Sequence, residues 1–243
     1  MLSETEPKFK ILILAFQGLN ILDLTGPAEG FGNSAIRPTF EITTAASSDL
    51  VTSAEGIAIK PDRFFHSLLD PAYGRPFLSD YDLLVVPGGP PPRVQEAIYT
   101  DEGLLNVIRA FAAIKRDEAP NDDSDPWLRS PIPSICTGAG FIGAVGLLGG
   151  RTVTTHFAYI PRLGEICKAA GSEATVVRKR FVNAGKTENG MMIMTAGGVS
   201  CGIDAALWIS SKFVSLEKTK EVATSMDYEW KFGKNEFTQE WIV

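Results

Sequence analysis

One cysteine in this chain has the surroundings of a covalent nucleophile. Cys136 lies in the sequence SICTGAG, residues 134–140, where a predicted strand must turn into a helix within about one residue. Small residues follow it and allow the sharp turn called a nucleophile elbow. We expect the N–H groups at the helix N-terminus to face the sulfur, lower the pKa of the thiol and supply thiolate at neutral pH. Cys167 and Cys201 lie in ordinary segments and are predicted to be buried, inert residues.

Two acidic side chains are candidates for moving the proton of such a thiol. Asp23 stands between two leucines, just past the first predicted strand. Apolar surroundings raise the pKa of a carboxyl group, and a raised pKa suits proton transfer at neutral pH. A helix cap or turn residue is the alternative role for Asp23. Glu29 follows on the next helix and is a possible substitute.

Backbone donors and one histidine complete the candidate site. Gly88 and Gly89 end a buried strand, and their N–H groups, together with that of Thr137, could hold a developing oxyanion. A plain tight turn is the alternative for the glycine pair. His156 ends another predicted strand and could support the cysteine, although a purely structural histidine fits the sequence as well.

Strands and helices alternate along the chain, which predicts an α/β fold with a mostly parallel sheet covered on both faces. Ligands in such sheets bind beyond the carboxyl ends of the strands, where the candidate residues stand. The whole chain, residues 1–243, is predicted to be a single domain with a surface insertion at 116–131 and a C-terminal extension at 214–243. The predicted strands are 10–16, 40–46, 81–87, 131–135 and 191–195, with a hairpin at 53–59 and a further strand that runs through residue 153 into 154–156. The predicted helices are 25–31, 101–115, 137–148 and 203–213.

Composition narrows the classes of function. The net charge is −6 and no basic cluster occurs, which argues against nucleic acid as a partner. The 3 cysteines form neither a CxxC pair nor a zinc-ligand spacing, so no metal and no disulfide is expected. The N-terminus lacks a signal peptide and no window is long and apolar enough for a membrane span, so a cytoplasmic location is expected.

Six short motifs together resemble the ThiJ/PfpI superfamily, and within it most closely the isonitrile hydratase group. They occur in the family's order across most of the chain: LDLTGP (22–27), VPGG (86–89), SICTG (134–138), GLL (146–148), TTHFAY (154–159) and TAGGVSCGID (195–204). The resemblance implies a flavodoxin-like three-layer sandwich, a homodimer and a reaction without a cofactor. It also implies that Cys136 attacks the isonitrile carbon, that an aspartate matching Asp23 handles protons, that Thr137 assists and that the product is an N-formamide.

One departure separates this chain from the proteases of the superfamily. Those proteases place a histidine directly after the cysteine, whereas this chain has Thr137 there, which argues against a protease triad. The leading hypothesis is therefore a hydratase (a carbon–oxygen lyase) acting on an isonitrile or a similar small electrophile. Glyoxalase-like conversion of 2-oxoaldehydes is a second hypothesis, and a non-enzymatic cysteine redox sensor or the ligand domain of a regulator is a third. No helix-turn-helix extension follows Phe213, which disfavours the regulator.

Overall fold

The protein is built around one extended sheet. The structure, a computed structural model, describes residues 9–33, 36, 39–73, 77–115 and 130–233. A parallel bridge between Val86 and Ser134 joins a four-stranded and a three-stranded section into this sheet. Its strands run parallel except for the last, in the spatial order β5 (Arg63–Phe64), β2 (Phe40–Ala46), β1 (Phe9–Leu14), β6 (Leu83–Val85), β7 (Ile132–Ser134), β11 (Met192–Ala196) and β10 (Phe181–Lys186).

The sequence of β1 shows why it lies near the middle of the sheet. Its last four residues, Ile-Leu-Ile-Leu, are all buried, as expected for a strand covered on both faces. Ile11 pairs with Ile42 of β2 on one side and with Leu83 of β6 on the other. The predicted mostly parallel sheet is confirmed.

Helices cover the sheet in two groups. In one group α1 packs against α7, and α7 against α8; in the other, α3 and α6 pack against α5, and α4 packs against α2 and α3. This arrangement is the predicted flavodoxin-like three-layer sandwich. The helices are α1 (Ile21–Gly32), α2 (Phe65–Leu69), α3 (Pro91–Thr100), α4 (Glu102–Ala113), α5 (Ala139–Ala144), α6 (Ile160–Ala169), α7 (Cys201–Phe213) and α8 (Leu216–Ser225).

Two helices differ from their predicted limits. α1 begins at Ile21 instead of residue 25, because the side chain of Asn20 caps its N-terminus by accepting from the N–H groups of Leu22 and Asp23. The helix predicted at 137–148 is divided into a 3₁₀ turn, Cys136–Gly138, and the short α5. After α5, Gly146 adopts a φ of +81°, which a regular right-handed helix does not allow.

Several smaller elements complete the fold. The predicted hairpin at 53–59 is present, with β3 (Val51–Thr52) pairing antiparallel to β4 (Ala58–Ile59). β8 (Thr152–Val153) and β9 (Thr175–Val176) form a separate parallel pair. Seven of the described elements were not predicted from the sequence: α2, α3, α6, α8, β5, β9 and β10. Most of the predicted insertion, residues 116–129, lies outside the described residues, and the described part of the C-terminal extension contains α8.

Across the described parts of the chain, no helix has the length and apolar character needed to cross a bilayer.

Candidate active site

The predicted sharp turn at Cys136 is confirmed. The residue joins β7 to the 3₁₀ turn with a φ of +56°, a left-handed conformation that costs a non-glycine residue roughly 1–2 kcal/mol. Two hydrogen bonds fix this conformation: Cys136 N donates to Gly197 O at 3.0 Å, and Thr155 Oγ1 donates to Cys136 O at 2.7 Å. The ends of β11 and β8 therefore hold the backbone of the turn from both sides.

Glycine is required where the end of β6 meets this turn. A Cβ atom on Gly88 would lie 2.6 Å from Thr137 N, and one on Gly138 would lie 2.8 Å from Pro87 O. Both distances are shorter than real Cβ contacts, so the two backbones approach as closely as they do only because these residues lack side chains. The close approach brings the backbone N–H of Gly88 next to the cysteine turn.

Asp23 is the acidic side chain that the fold brings to the cysteine. It occupies the first turn of α1 and is completely buried. Its Oδ2 accepts a hydrogen bond from Gly88 N at 3.1 Å. Its Oδ1 has no N–H or O–H donor among the described residues, and the thiol of Cys136 is the group that faces the carboxylate. A buried carboxyl group and a buried thiol thus form a pair.

The electrostatics of this pair contradict one prediction. Burial raises the pKa of Asp23 from 3.8 to about 7, while its interactions with the Cys136 thiol and with Gly88 N–H hold it lower than burial alone would. Burial, followed by the negative charge of Asp23, raises the pKa of the Cys136 thiol to about 12. Both directions run against the prediction that this turn supplies a thiolate at neutral pH. They favour a protonated thiol beside a carboxyl group with a raised pKa.

The backbone donors around the sulfur also differ from the prediction. Gly88 N donates to Asp23, and Gly89 N donates to Thr137 Oγ1 at 2.8 Å, so neither glycine N–H is directed at a substrate oxyanion. The N–H groups that point to the sulfur are those of Val199 and Thr137, and they lower the pKa of the thiol. Their effect is smaller than that of burial, so the net shift of the thiol pKa is upward.

Thr137 connects the cysteine turn to the glycine pair. Its hydroxyl accepts from Gly89 N and donates to Gly89 O at 2.6 Å, and all three groups are buried. The hydroxyl thus satisfies a buried donor and a buried acceptor that water cannot reach. Thr137 acts in this way as a positioning residue for the turn.

We expect Thr137→Val to lower stability by about 1–3 kcal/mol, because Gly89 N–H and C=O would be left without partners in the interior. Urea unfolding measures this loss. Thr137→Ser keeps the hydroxyl and is the matched control, for which we expect a clearly smaller loss. Equal stabilities of the valine and serine variants would show that the hydrogen bonds to Gly89 are not what the threonine contributes.

The structure does not place Glu29 at the site. Its side chain is exposed and accepts a hydrogen bond from Asn33 Nδ2 at 2.9 Å. It stands six positions after Asp23, which corresponds to about 240° around the helix, so the two carboxylates cannot share a face. Glu29 therefore cannot take the place of Asp23.

His156 borders the site without pairing with the cysteine. Its Nδ1 accepts from Ala158 N at 3.3 Å and caps the turn that precedes α6. Its ring contacts Gly198, since a Cβ on that glycine would lie 2.9 Å from His156 Cδ2. Among the described residues, no hydrogen bond joins His156 to Cys136, and burial lowers the pKa of the imidazole. These contacts fit the structural alternative.

Thr155, Gly197 and Val199 stand in the quoted family motifs, but none of them was assigned a role at the site from the sequence. A second glycine pair, Gly197-Gly198, directly follows the buried strand β11, as Gly88-Gly89 closely follows β6. That repeated pattern was the available signal.

No group of three or more histidine, cysteine, aspartate or glutamate side chains suited to a metal ion occurs in the described ranges.

The chain is similar to known proteins in sequence and in fold. No family model matches the chain. The chain is 31% identical to isonitrile hydratase of Pseudomonas putida over 224 residues, which cover 90% of this chain and 78% of that protein.

Solved structures give the same fold. A ThiJ/PfpI family protein from Pseudomonas syringae superimposes with a TM-score of 0.69 and 25% identity, covering 92% of this chain and 76% of the other. DJ-1beta of Drosophila melanogaster superimposes with a TM-score of 0.66 at 18% identity, covering 92% of this chain and all of the other. The second likeness shows the fold alone. The chain shares the fold of the Pseudomonas syringae protein and is 31% identical to the Pseudomonas putida enzyme over 90% of its own length. It therefore belongs to the ThiJ/PfpI superfamily and, within it, to the isonitrile hydratase group.

Proposed function

We propose that this protein is a hydratase that adds water to the terminal carbon of an isonitrile and releases an N-formamide. Cys136 is the nucleophile, and Asp23 accepts and returns the proton. The observation that carries the proposal is the buried contact between the Cys136 thiol and the carboxyl group of Asp23, whose pKa burial raises to about 7. Such a carboxyl group exchanges protons readily at neutral pH, since its two forms are then of nearly equal free energy.

The first half of the reaction forms a covalent intermediate. The carboxylate of Asp23 takes the proton from the thiol while the sulfur bonds to the isonitrile carbon. The proton then passes from Asp23 to that carbon and leaves a thioimidate, R–N=CH–S–Cys. No atom is gained from solvent in this half. Deprotonation coupled to attack avoids a free thiolate, which burial makes unfavourable in this site.

The second half releases the product. Asp23, again ionised, takes a proton from water as the water oxygen bonds to the thioimidate carbon, and then passes that proton to the imine nitrogen. The resulting tetrahedral adduct, R–NH–CH(OH)–S–Cys, collapses to R–NH–CHO with cleavage of the carbon–sulfur bond. The hydroxyl proton of the adduct passes through Asp23 to the sulfur, which leaves as the thiol. The sum is one isonitrile and one water giving one formamide, without an oxidant, a reductant or a metal.

Two observations support this function over its alternatives. A redox sensor requires a thiolate that oxidises readily, but the Cys136 thiol has its pKa raised to about 12. The curated relative described above, which is 31% identical over 90% of this chain, is an isonitrile hydratase. The likeness to DJ-1beta, at 18% identity, shows only the fold.

Turnover in H₂¹⁸O tests the proposal. We expect the protein to convert alkyl or aryl isonitriles to N-formamides that carry ¹⁸O, as measured by mass spectrometry. With slow substrates, intact-protein mass spectrometry should show an adduct equal to the mass of the isonitrile on Cys136. Cys167→Ala is the matched control, because Cys167 is a buried cysteine on α6, outside the site, and should leave turnover unchanged.

Three results would contradict this function. Conversion of methylglyoxal without conversion of any isonitrile would instead favour the glyoxalase-like hypothesis. Oxidation of Cys136 to the sulfinate by mild peroxide, with no turnover of either class of substrate, would favour the sensor. An adduct on Cys167 or Cys201 would remove Cys136 from the reaction.

A further inference from the structure

A glutamate on the hairpin of β3 and β4 reaches the helix that carries Asp23. Glu55 lies at the tip of the hairpin, followed by Gly56, whose φ of +84° closes the turn. Its Oε1 accepts from Asn20 Nδ2 at 2.8 Å, and its Oε2 accepts from Ile21 N at 3.0 Å. Thirty-five and thirty-four positions separate these partners along the chain, so the contacts are tertiary.

Asn20 connects Glu55 by hydrogen bonds to the first turn of α1, which carries Asp23. The amide of Asn20 donates from Nδ2 to Glu55, and its Oδ1 accepts from Leu22 N at 3.1 Å and from Asp23 N at 3.3 Å. Glu55 thus fixes which way the amide of Asn20 points. A reversed amide would place N–H groups against the N–H groups of the helix and would lose the cap.

Residues 20–23 are also hydrogen-bonded to Gly88, which closely follows β6. Asn20 N donates to Gly88 O at 2.9 Å, and Gly88 N donates to Asp23 Oδ2 at 3.1 Å. The hairpin adds a further backbone tie, from Ala54 N to Leu19 O at 2.8 Å. The first turn of α1 is therefore held between the hairpin on one side and the Gly88 turn on the other, with Asp23 at its buried face.

We propose that Glu55 is a positioning residue for the reaction: through Asn20 it holds the first turn of α1 so that the carboxyl group of Asp23 stays against the thiol of Cys136. This inference rests on the proposed function for its role in turnover. Nothing in the family motifs quoted above includes Glu55 or Asn20.

The charge of Glu55 acts on Asp23 as well. Three groups around Asp23 change the pKa of its carboxyl group besides burial. The Cys136 thiol on the turn after β7 and the N–H of Gly88 after β6 lower this pKa, and the carboxylate of Glu55 on the hairpin raises it. Asp23 in turn raises the pKa of Cys201 on α7. Because Glu55 is exposed and its charge is screened by water, we expect its effect on the pKa of Asp23 to be smaller than that of burial.

Exchanging donor and acceptor between the two side chains tests the contact. In Glu55→Gln, one carboxylate oxygen becomes an N–H₂ group that meets the N–H₂ of Asn20, so one of the two bonds is lost. In Asn20→Asp, two carboxylates meet. In the double variant, the N–H₂ of the glutamine donates to the new aspartate while its oxygen still accepts from Ile21 N. Glu102→Gln, an exposed glutamate on α4, is the control.

We expect each single variant to lower kcat for an isonitrile about 10-fold with little change in KM, since a small misplacement of a proton carrier slows chemistry without weakening binding. The double variant should recover most of the loss, and Glu102→Gln should show none. We also expect Glu55→Gln to shift the acid limb of the kcat/KM profile to lower pH, because loss of the negative charge of Glu55 lowers the pKa of Asp23. A residue that only stabilises the fold would lower the melting temperature without moving that limb.

A second readout separates this inference from the proposed function. The rate at which iodoacetamide alkylates Cys136, mapped by mass spectrometry against pH, depends on Asp23 as the base and requires no isonitrile. If wild-type protein converts no isonitrile, the proposed function fails, but slowed alkylation in both single variants with recovery in the double variant still supports the positioning role. Single variants with wild-type kcat and wild-type alkylation profiles, or a double variant as slow as the product of the single losses, would overturn it.

Discussion

Cys136→Ala is expected to abolish isonitrile hydration, with a loss of at least about 10³-fold. The proposed reaction passes through a carbon–sulfur bond, and removal of a nucleophile eliminates the covalent route rather than slowing it. Cys167 and Cys201 are buried, and burial raises the pKa of each thiol to about 11, so neither is placed to substitute. Formamide release under single-turnover conditions provides the measurement.

Stability measurements on the same position separate loss of chemistry from loss of fold. Cys136 has a φ of +56°, which alanine tolerates no better than cysteine but glycine adopts without strain. We therefore expect Cys136→Gly to be inactive and up to about 1 kcal/mol more stable than Cys136→Ala in urea unfolding. Full activity in either variant would exclude the covalent mechanism. A glycine variant that is less stable than the alanine variant would show that the turn is not strained.

The fold was predictable because its local signals agree with one another. The buried run in β1 indicates a strand covered on both faces, and the small residues after Cys136 indicate a turn that the structure confirms. α3 was missed because it begins in a run of three prolines, Pro90–Pro92, which breaks a helical pattern yet is accommodated at the first turn of a helix. α1 was placed four residues late because its cap, Asn20, acts through contacts with its own helix and a distant hairpin.

The central residues of the candidate site were predictable, whereas its electrostatics and the places of Glu29 and His156 were not. The sequence brings Asp23, Gly88 and Cys136 to the carboxyl ends of neighbouring strands, and the structure places them in contact. The ionisation of the thiol depends on how deeply Cys136 is buried and on the charge beside it, which no local pattern expresses. The same limit applies to Glu55, since its partners lie about 35 positions away and are brought to it only by the completed fold.

Asp23→Asn is expected to lower kcat by about 10²-fold or more. The amide keeps the size of the side chain and can still accept from Gly88 N, but it cannot carry a proton between sulfur and carbon. In the wild-type protein, kcat/KM should rise with pH as Asp23 ionises, with a midpoint near 7. The rate of Cys136 alkylation should follow the same limb, and both limbs should be absent in the asparagine variant. A variant with near wild-type kcat and an unchanged limb would assign the proton transfer to another group.

The same substitution should increase stability, in a manner that depends on pH. The pKa of Asp23 is about 7 in the folded protein and near its usual 3.8 in the unfolded chain, so the folded state binds the proton more tightly. Stability from this group is fully present below about pH 4 and is lost as pH rises through 7, by up to about 4 kcal/mol. Urea unfolding should therefore find Asp23→Asn about 2–4 kcal/mol more stable than wild type at pH 8, with roughly half that difference or less at pH 5. Equal stabilities at pH 8 would mean that Asp23 ionises without cost, and the neutral thiol and half-ionised carboxyl group could not then be the resting state of the site.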